Sequence, residues 1–170
     1  MQQSPAVRRA ACASGDCMRR IDYVRLDEVD PAEFVTLLNK KRIREHLVEH
    51  QQFTVGTAAH WIKTKDDESS RRCCRIRAVF VDDQLSGWCG IQPDGIGYEL
   101  AIVIDKSHWG LGPRIFRDVM GWASELGHEV ISIHLLHTRP EYKFLHKMAR
   151  NVYSTELLGD RFTTYELAVK

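Results

Sequence analysis

No apolar run in this chain approaches the roughly 20 residues that a membrane-spanning helix needs, which predicts a soluble protein with no membrane partner. An excess of one charge is missing as well. Lys and Arg number 24 against 23 Asp and Glu, for a formal net charge of +1, so no broad field draws in nucleic acid or an anionic surface. The cysteines Cys12, Cys17, Cys73, Cys74 and Cys89 form neither an even framework nor a CxxC pair. They read as reduced thiols of a cytoplasmic protein, and the ordered spacing of ligands that a structural zinc requires is absent. Internal repeats and low-complexity blocks are lacking too. Residues 1–17 hold no apolar stretch long enough for a secretory signal. With Arg8, Arg9 and almost no acid, they read as a flexible tail; an organelle transit peptide is the alternative, and Met18 is an alternative start. What remains, 18–170, is one domain's worth of chain.

Periodicity and turn chemistry divide that domain into elements. Ile21 to Leu26 reads as a strand, and Asp30 with Pro31 opens a helix ending near Asn39 or Lys40. A second helix is expected from Thr57 to about Lys65, followed by a charged turn from Lys65 to Arg72. Strands Arg75–Val81 and Leu85–Gln92 flank the hairpin chemistry of Asp82, Asp83 and Gln84. The turn Pro93, Asp94, Gly95 leads into an apolar strand, Leu100 to Ile104. A helix from Pro113 ends at Gly127, and Val130–Leu136 forms another strand. A helix from Pro140 through Ala149 and an antiparallel pair, 153–158 and 162–169, complete the order. A right-handed crossover makes Leu100–Ile104 and Val130–Leu136 parallel neighbours in a mixed α/β sheet.

The stretch from Gly97 to Gly127 carries the chemistry. An apolar strand runs into Gly110 and Gly112, and an amphipathic helix leaves them, with Ile115, Phe116, Val119, Trp122 and Ala123 at helical spacing. Gly110 and Gly112 are expected to tolerate positive φ and to let the backbone approach a ligand closely. Pro113 suits the first helical position, and the unpaired amides there, with the helix dipole, suit a phosphate. Two phosphate motifs are excluded: GxxxxGK[ST] is absent, and the third glycine of GxGxxG is replaced by Ile115. A tight turn in an α/β unit is the plain alternative.

Ser107 to Gly112, SHWGLG, resembles the acyl-CoA loop of the GNAT superfamily of acetyl-CoA-dependent N-acyltransferases. That loop reads Gln or Arg, two residues, Gly, any residue, then Gly or Ala; Ser107 departs at the first position. The Trp-Gly step is similar to the branch with ribosomal-protein-alanine and polyamine N-acetyltransferases, and the element order from Ile21 to Val169 matches the fold. The resemblance implies a single α/β (α+β) domain with a mixed, mostly antiparallel sheet, about four flanking helices and a splay between the central parallel strands. It implies acetyl-CoA as cosubstrate, with no metal, and an amine acceptor: a small amine, a protein or peptide N-terminus, or a lysine. Ser107, His108, Trp109, Gly110, Leu111, Gly112, Pro113 and Arg114 are then candidates for binding the pyrophosphate, and Ile102, Val103 and Ile104 for the pantetheine arm. A homodimer through the last strands is left open.

The family's second landmark is an Asn, followed seven residues later by a Tyr and eleven later by a Gly. Here Thr138, Leu145 and Ala149 stand in those places. Thr138 is carried as a cofactor contact, and His146 and Tyr142 are the candidates to protonate the leaving thiolate in place of the missing tyrosine. Glu99 is the candidate general base, since the attacking amine must be neutral. Cys89 is not needed as a nucleophile. A catalytically silent acyl-CoA-binding module is the alternative from another class. A distant third is a zinc hydrolase, because His46, Glu49 and His50 spell HxxEH. In the acyltransferase reading Glu45, His46 and Glu49 border the acceptor site, or simply form a solvated face. His134 and His137, three apart on a strand, point to opposite faces.

Overall fold

In the computed structural model of the chain, which describes residues 18–45 and 51–170, Asp82 and Asp83 adopt left-handed backbone (φ 49° and 68°). A two-residue hairpin demands that conformation, and it folds β2 (Arg75–Val81) back on β3 (Gln84–Pro93). The last hairpin uses the same device: Leu158 and Gly159 (φ 53° and 84°) join β6 (Ala149–Leu157) to β7 (Asp160–Ala168). With β1 (Ile21–Val24), β4 (Tyr98–Ile104) and β5 (Val130–Leu136), these make a seven-stranded sheet in the order β1-β2-β3-β4-β5-β7-β6. Every neighbour pair is antiparallel except β4 and β5. Inside β3, a Cβ at Gly87 would lie 2.0 Å from the Val103 carbonyl oxygen, so only glycine lets β3 approach β4 this closely.

Side-chain alternation gives the sheet two apolar faces. On one, α4 (Gly112–Glu125) lays down Ile115, Phe116, Val119 and Ala123 against Leu100, Ile131, Ile133, Tyr165 and Leu167. On the other, a 3₁₀ turn at Leu26–Glu28, α1 (Pro31–Leu38) and α3 (Val55–Ser69) cover Ile76, Ala78, Trp88 and Val103. Asp30 caps α1 by accepting from the Ala32 amide at 2.9 Å. Thr54 and Thr57 form a reciprocal capping box at the start of α3. Short α2 (Lys41–Arg44) and α5 (Lys143–Met148) bring the α-helices among the described residues to five, against the four or so expected.

The parallel crossover β4–α4–β5 and the strand bounds Arg75–Val81 and Val130–Leu136 match the sequence reading. Elsewhere the bounds move. The expected charged turn from Lys65 is helical to Ser69, because Lys63–Asp67 and Lys65–Glu68 pair at helical spacing and continue the helix. The helix expected from Pro140 begins only at Lys143, and its C-cap, Ala149, is extended and starts β6. The first strand stops at Val24, since Leu26 turns into the 3₁₀ segment and is fully buried. The expected tail 1–17 and the trio His46, Glu49 and His50 lie outside the described residues.

Candidate functional site

The parallel pairing of β4 with β5 consists of one register pair, Glu99 with Ser132. Beyond it the two strands diverge. The Asp105 amide donates to the Ser86 carbonyl of β3 at 2.7 Å, and peptide groups alternate along a strand. Leu100, Ile102 and Ile104 therefore turn their N–H and C=O groups toward β5, into the gap. A cavity of about 800 Å³ occupies this splay. Its wall includes both sheet faces: Ile102, Ile104, Pro113, Phe116 and Tyr142 from the α4 side, and Trp61, Trp88, Gln92, Glu99 and His134 from the α3 side.

Glu99 sits where the gap opens. Gln92, its register partner on β3, donates an amide hydrogen to Glu99 Oε1 at 2.6 Å. Lys65 Nζ in turn donates to Gln92 Oε1 and to Glu68 Oε2, both at 2.8 Å. Glu99 Oε2 lies 3.9 Å from His134 Nε2. That nitrogen bonds Asp94 Oδ2 at 3.0 Å, and His134 Nδ1 bonds Thr164 Oγ1 at 2.8 Å. The His134 and Asp94 side chains are each 6% exposed, so the pair is a structural fixture beneath Glu99 and not a solvent contact. Burial would raise the Asp94 carboxyl, but the bond with His134 and those from the Gly97 and Ile96 amides outweigh it and hold its pKa below the usual carboxylate range.

The turn after β4 differs from the open glycine loop expected. Lys106–Leu111 is a 3₁₀ segment, in which the His108 amide donates to Asp105 O and the Gly112 amide to Trp109 O. Two amides expected to be unpaired are thus engaged. Gly112 is helical (φ −50°) and Gly110 is not among the positive-φ residues, so neither uses the left-handed freedom that glycine tolerates. A Cβ at either would meet no protein atom within 4 Å. The start of α4 has Pro113 in its first turn and no side-chain cap. Asp105 anchors the turn from the other end: it accepts from the Ser107 amide and is ion-paired with Lys40. Burial would raise its carboxyl, yet those bonds bring the pKa below the usual range.

Cations border this turn. Arg19 Nη1 donates to Ser107 O at 3.3 Å and lies 2.9 Å from His108 Nδ1. Arg114 Nη1 holds the Arg19 carbonyl at 2.9 Å. Lys106 stands 5.7 Å over the half-exposed Trp109 ring. The Arg19 position follows from its neighbour: Arg20 and Asp82 exchange backbone and side-chain bonds that pin the chain to the β2–β3 hairpin.

Among the remaining candidates, Tyr142 lines the cavity. His146 does not: its Nε2 lies 3.3 Å from the Tyr165 hydroxyl and 3.6 Å from Glu141 Oε2. Thr138 is exposed in the turn after β5 and is not part of the lining, whereas Arg139 beside it is. Leu145 is buried in the core. Burial pushes the Cys89 thiol up, which suits an inert side chain. Among the described residues no cluster of His, Cys, Asp and Glu fits a metal, and no helix is long and apolar enough to cross a membrane. Lys65, Gln92, Asp94 and His134 were not singled out as site residues by sequence; the available signal was a histidine inside the otherwise apolar strand VISIHLL.

Neither a family model nor a curated protein matches the sequence. Solved structures do match the fold. A Bordetella pertussis protein assigned to the GnaT acetyltransferase family superposes with a TM-score of 0.71 at 12% identity, over 88% of this chain and 96% of that one. A Salmonella typhimurium protein described as an acetyltransferase, solved with acetyl-CoA, gives 0.65 at 10% identity over 89% and 94%. Ribosomal-protein-alanine N-acetyltransferase from Brucella melitensis gives 0.64 at 10% identity over 88% and 99%. The chain therefore has the GNAT fold over nearly its whole described length.

Proposed function

We propose that the chain, built on the GNAT acetyltransferase fold, transfers an acetyl group from acetyl-CoA to a primary amine. The observation that carries this reading is the cavity through the β4–β5 splay, with the peptide groups of Ile102 and Ile104 turned toward it, Glu99 at its floor and the α4 turn at its mouth. Acetyl-CoA supplies the activated acetyl thioester. The uncapped first turn of α4 with its dipole, and the cations Arg19, Lys106 and Arg114, suit its phosphates. The open faces of Gly110 and Gly112 leave that approach unobstructed. The inward amides of Ile102 and Ile104 suit a pantetheine arm and a developing oxyanion.

Glu99 takes the proton of the incoming ammonium, so that the neutral amine forms the new C–N bond as the C–S bond breaks. Gln92 and Lys65 hold that carboxylate. Tyr142, which lines the opposite wall, gives a proton to the leaving sulfur and is restored by the second proton that the new amide nitrogen sheds. No acyl-enzyme is needed, in keeping with the burial of Cys89. Thiol release from acetyl-CoA against a panel of amines, peptides, polyamines and aminoacyl-tRNA tests the reading. Turnover with at least one amine is the expected result. Acetyl-CoA binding without turnover identifies a silent binding module instead, and failure to bind acetyl-CoA defeats both.

A further inference from the structure

The half of the cavity that faces α3 has a composition that selects among amines. β4 divides the space: its odd-numbered side chains, Glu99, Ala101 and Val103, turn toward α1 and α3, and its even-numbered ones toward α4. Beyond Glu99 and its polar neighbours Gln92, Lys65 and His134, the wall is apolar and aromatic. Phe53, Trp61 and Trp88 meet edge to face, with centroids 6.4 Å and 5.5 Å apart. Leu38, Leu136 and Phe162 line the same space. Phe53 is fixed there although it lies outside any helix, because the Asn39 side chain both donates to its carbonyl and accepts from its amide at 2.8 Å.

Charge is scarce on this wall, and its sign is informative. Glu99 is the one carboxylate among the described lining residues, while the cations are Lys65 and Arg139. The Lys65 ammonium is already committed to Glu68 and Gln92 and stands 5.9 Å over the Trp88 ring, so that aromatic face is not free to hold another cation. An acceptor with one ammonium finds Glu99. A second ammonium, as in a polyamine, meets no further carboxylate among the described lining residues and faces Lys65, which leaves its desolvation uncompensated there.

We propose that the acceptor is a primary amine carried on an uncharged apolar or aromatic body, of the arylalkylamine class, with Phe53 and Trp61 setting that preference. The inference rests on the acetyltransfer reading above. It is tested by comparing kcat/KM for phenethylamine and for spermidine, from thiol release with acetyl-CoA. A preference for phenethylamine of about 100-fold is expected, since recognition by one hydrophobic pocket and one rejected charge reaches that order. In Phe53→Ala the preference falls about tenfold, while Trp61→Phe, which keeps the core filled, retains most of it. Melting curves for both variants establish that each is folded. Equal or better use of spermidine by the wild-type protein overturns this inference alone, as does an unchanged preference in folded Phe53→Ala. Turnover of no amine, with or without acetyl-CoA binding, overturns it together with the reading beneath it.

Discussion

Gln92 donates its side-chain amide to Glu99 Oε1 at 2.6 Å, and the direction of that bond is dictated one residue further out. Lys65 has only hydrogens to give, so Gln92 must turn its oxygen to Lys65 and its NH₂ to Glu99. A carboxylate that accepts such a bond is held in one rotamer, with Oε2 left toward the cavity and His134. Glu99→Gln cannot accept a proton, so kcat is expected to fall by about 100-fold or more with little change in acetyl-CoA affinity. Steady-state kinetics and calorimetric titration check this; unchanged turnover across the pH range would remove Glu99 from the mechanism. Gln92→Leu, which frees the carboxylate to rotate, is expected to lower kcat less and to alter its pH profile.

The glycines of this chain differ in what an added side chain would meet. At Gly87 an added methyl would overlap the Val103 carbonyl, so Gly87→Ala is expected to cost more than about 2 kcal/mol of stability. At Gly110 and Gly112 the same methyl touches no protein atom. Gly110→Val and Gly112→Val are therefore expected to keep a melting temperature within a few degrees of wild type while losing about tenfold or more in acetyl-CoA affinity, the order expected for one lost charge-assisted bond. Thermal melts paired with titration read both quantities. A folded Gly112→Val protein with full affinity would place the pyrophosphate elsewhere.

How far the residues alone reach can be judged at this same turn. Strand, turn and helix between Tyr98 and Glu125 followed from apolar runs, Pro113 and helical periodicity, because those signals are local. What they misjudged was the turn itself, whose 3₁₀ bonds spend amides that glycine spacing alone left free. The extension of α3 to Ser69 was hidden because charged residues read as a turn until their pairing at i,i+3 and i,i+4 is known. Glu99 is legible as a candidate base from its place at the edge of the strand and from the family resemblance, whereas its supports are not legible. Gln92, Lys65 and His134 come from three separate elements and Asp94 from the turn after β3, and only strand register and helix docking bring them within bonding distance.

Asp94 provides a pH-dependent test of the buried support. Its pKa is depressed in the folded protein, so its contribution to stability is complete above the unfolded Asp value, about 3.9, and is lost as pH falls through the folded value. Asp94→Asn removes the charged partner of His134 and is expected to destabilise by about 1–3 kcal/mol near neutral pH. The gap between variant and wild type should narrow below about pH 4, where Asp94 begins to protonate. Chemical denaturation at a series of pH values measures it. A gap that stays constant into acid would mean that Asp94 acts through shape alone.

Tyr142 and His146, one helical turn apart, are separated by where their side chains go. Tyr142 reaches the cavity wall and stacks edge-on to Phe144 at 6.0 Å, whereas His146 is held against Tyr165, with ring centroids 5.1 Å apart, away from the lining. Leu145, where a tyrosine would stand in the family pattern, is buried in the core and carries no proton to give. In the proposed reaction, protonation of the departing sulfur is then assigned to Tyr142 or to water. Tyr142→Phe is expected to lower kcat by about tenfold to 100-fold, toward the lower range for a lost general acid, and to leave acetyl-CoA affinity near wild type. His146→Ala is expected to leave kcat within about twofold, as for a side chain outside the reacting geometry. The decisive comparison uses acyl thioesters with leaving thiols of graded acidity. If Tyr142 is the acid, the Tyr142→Phe protein recovers on thiols that leave readily as thiolates; equal loss on all of them would assign the proton to water.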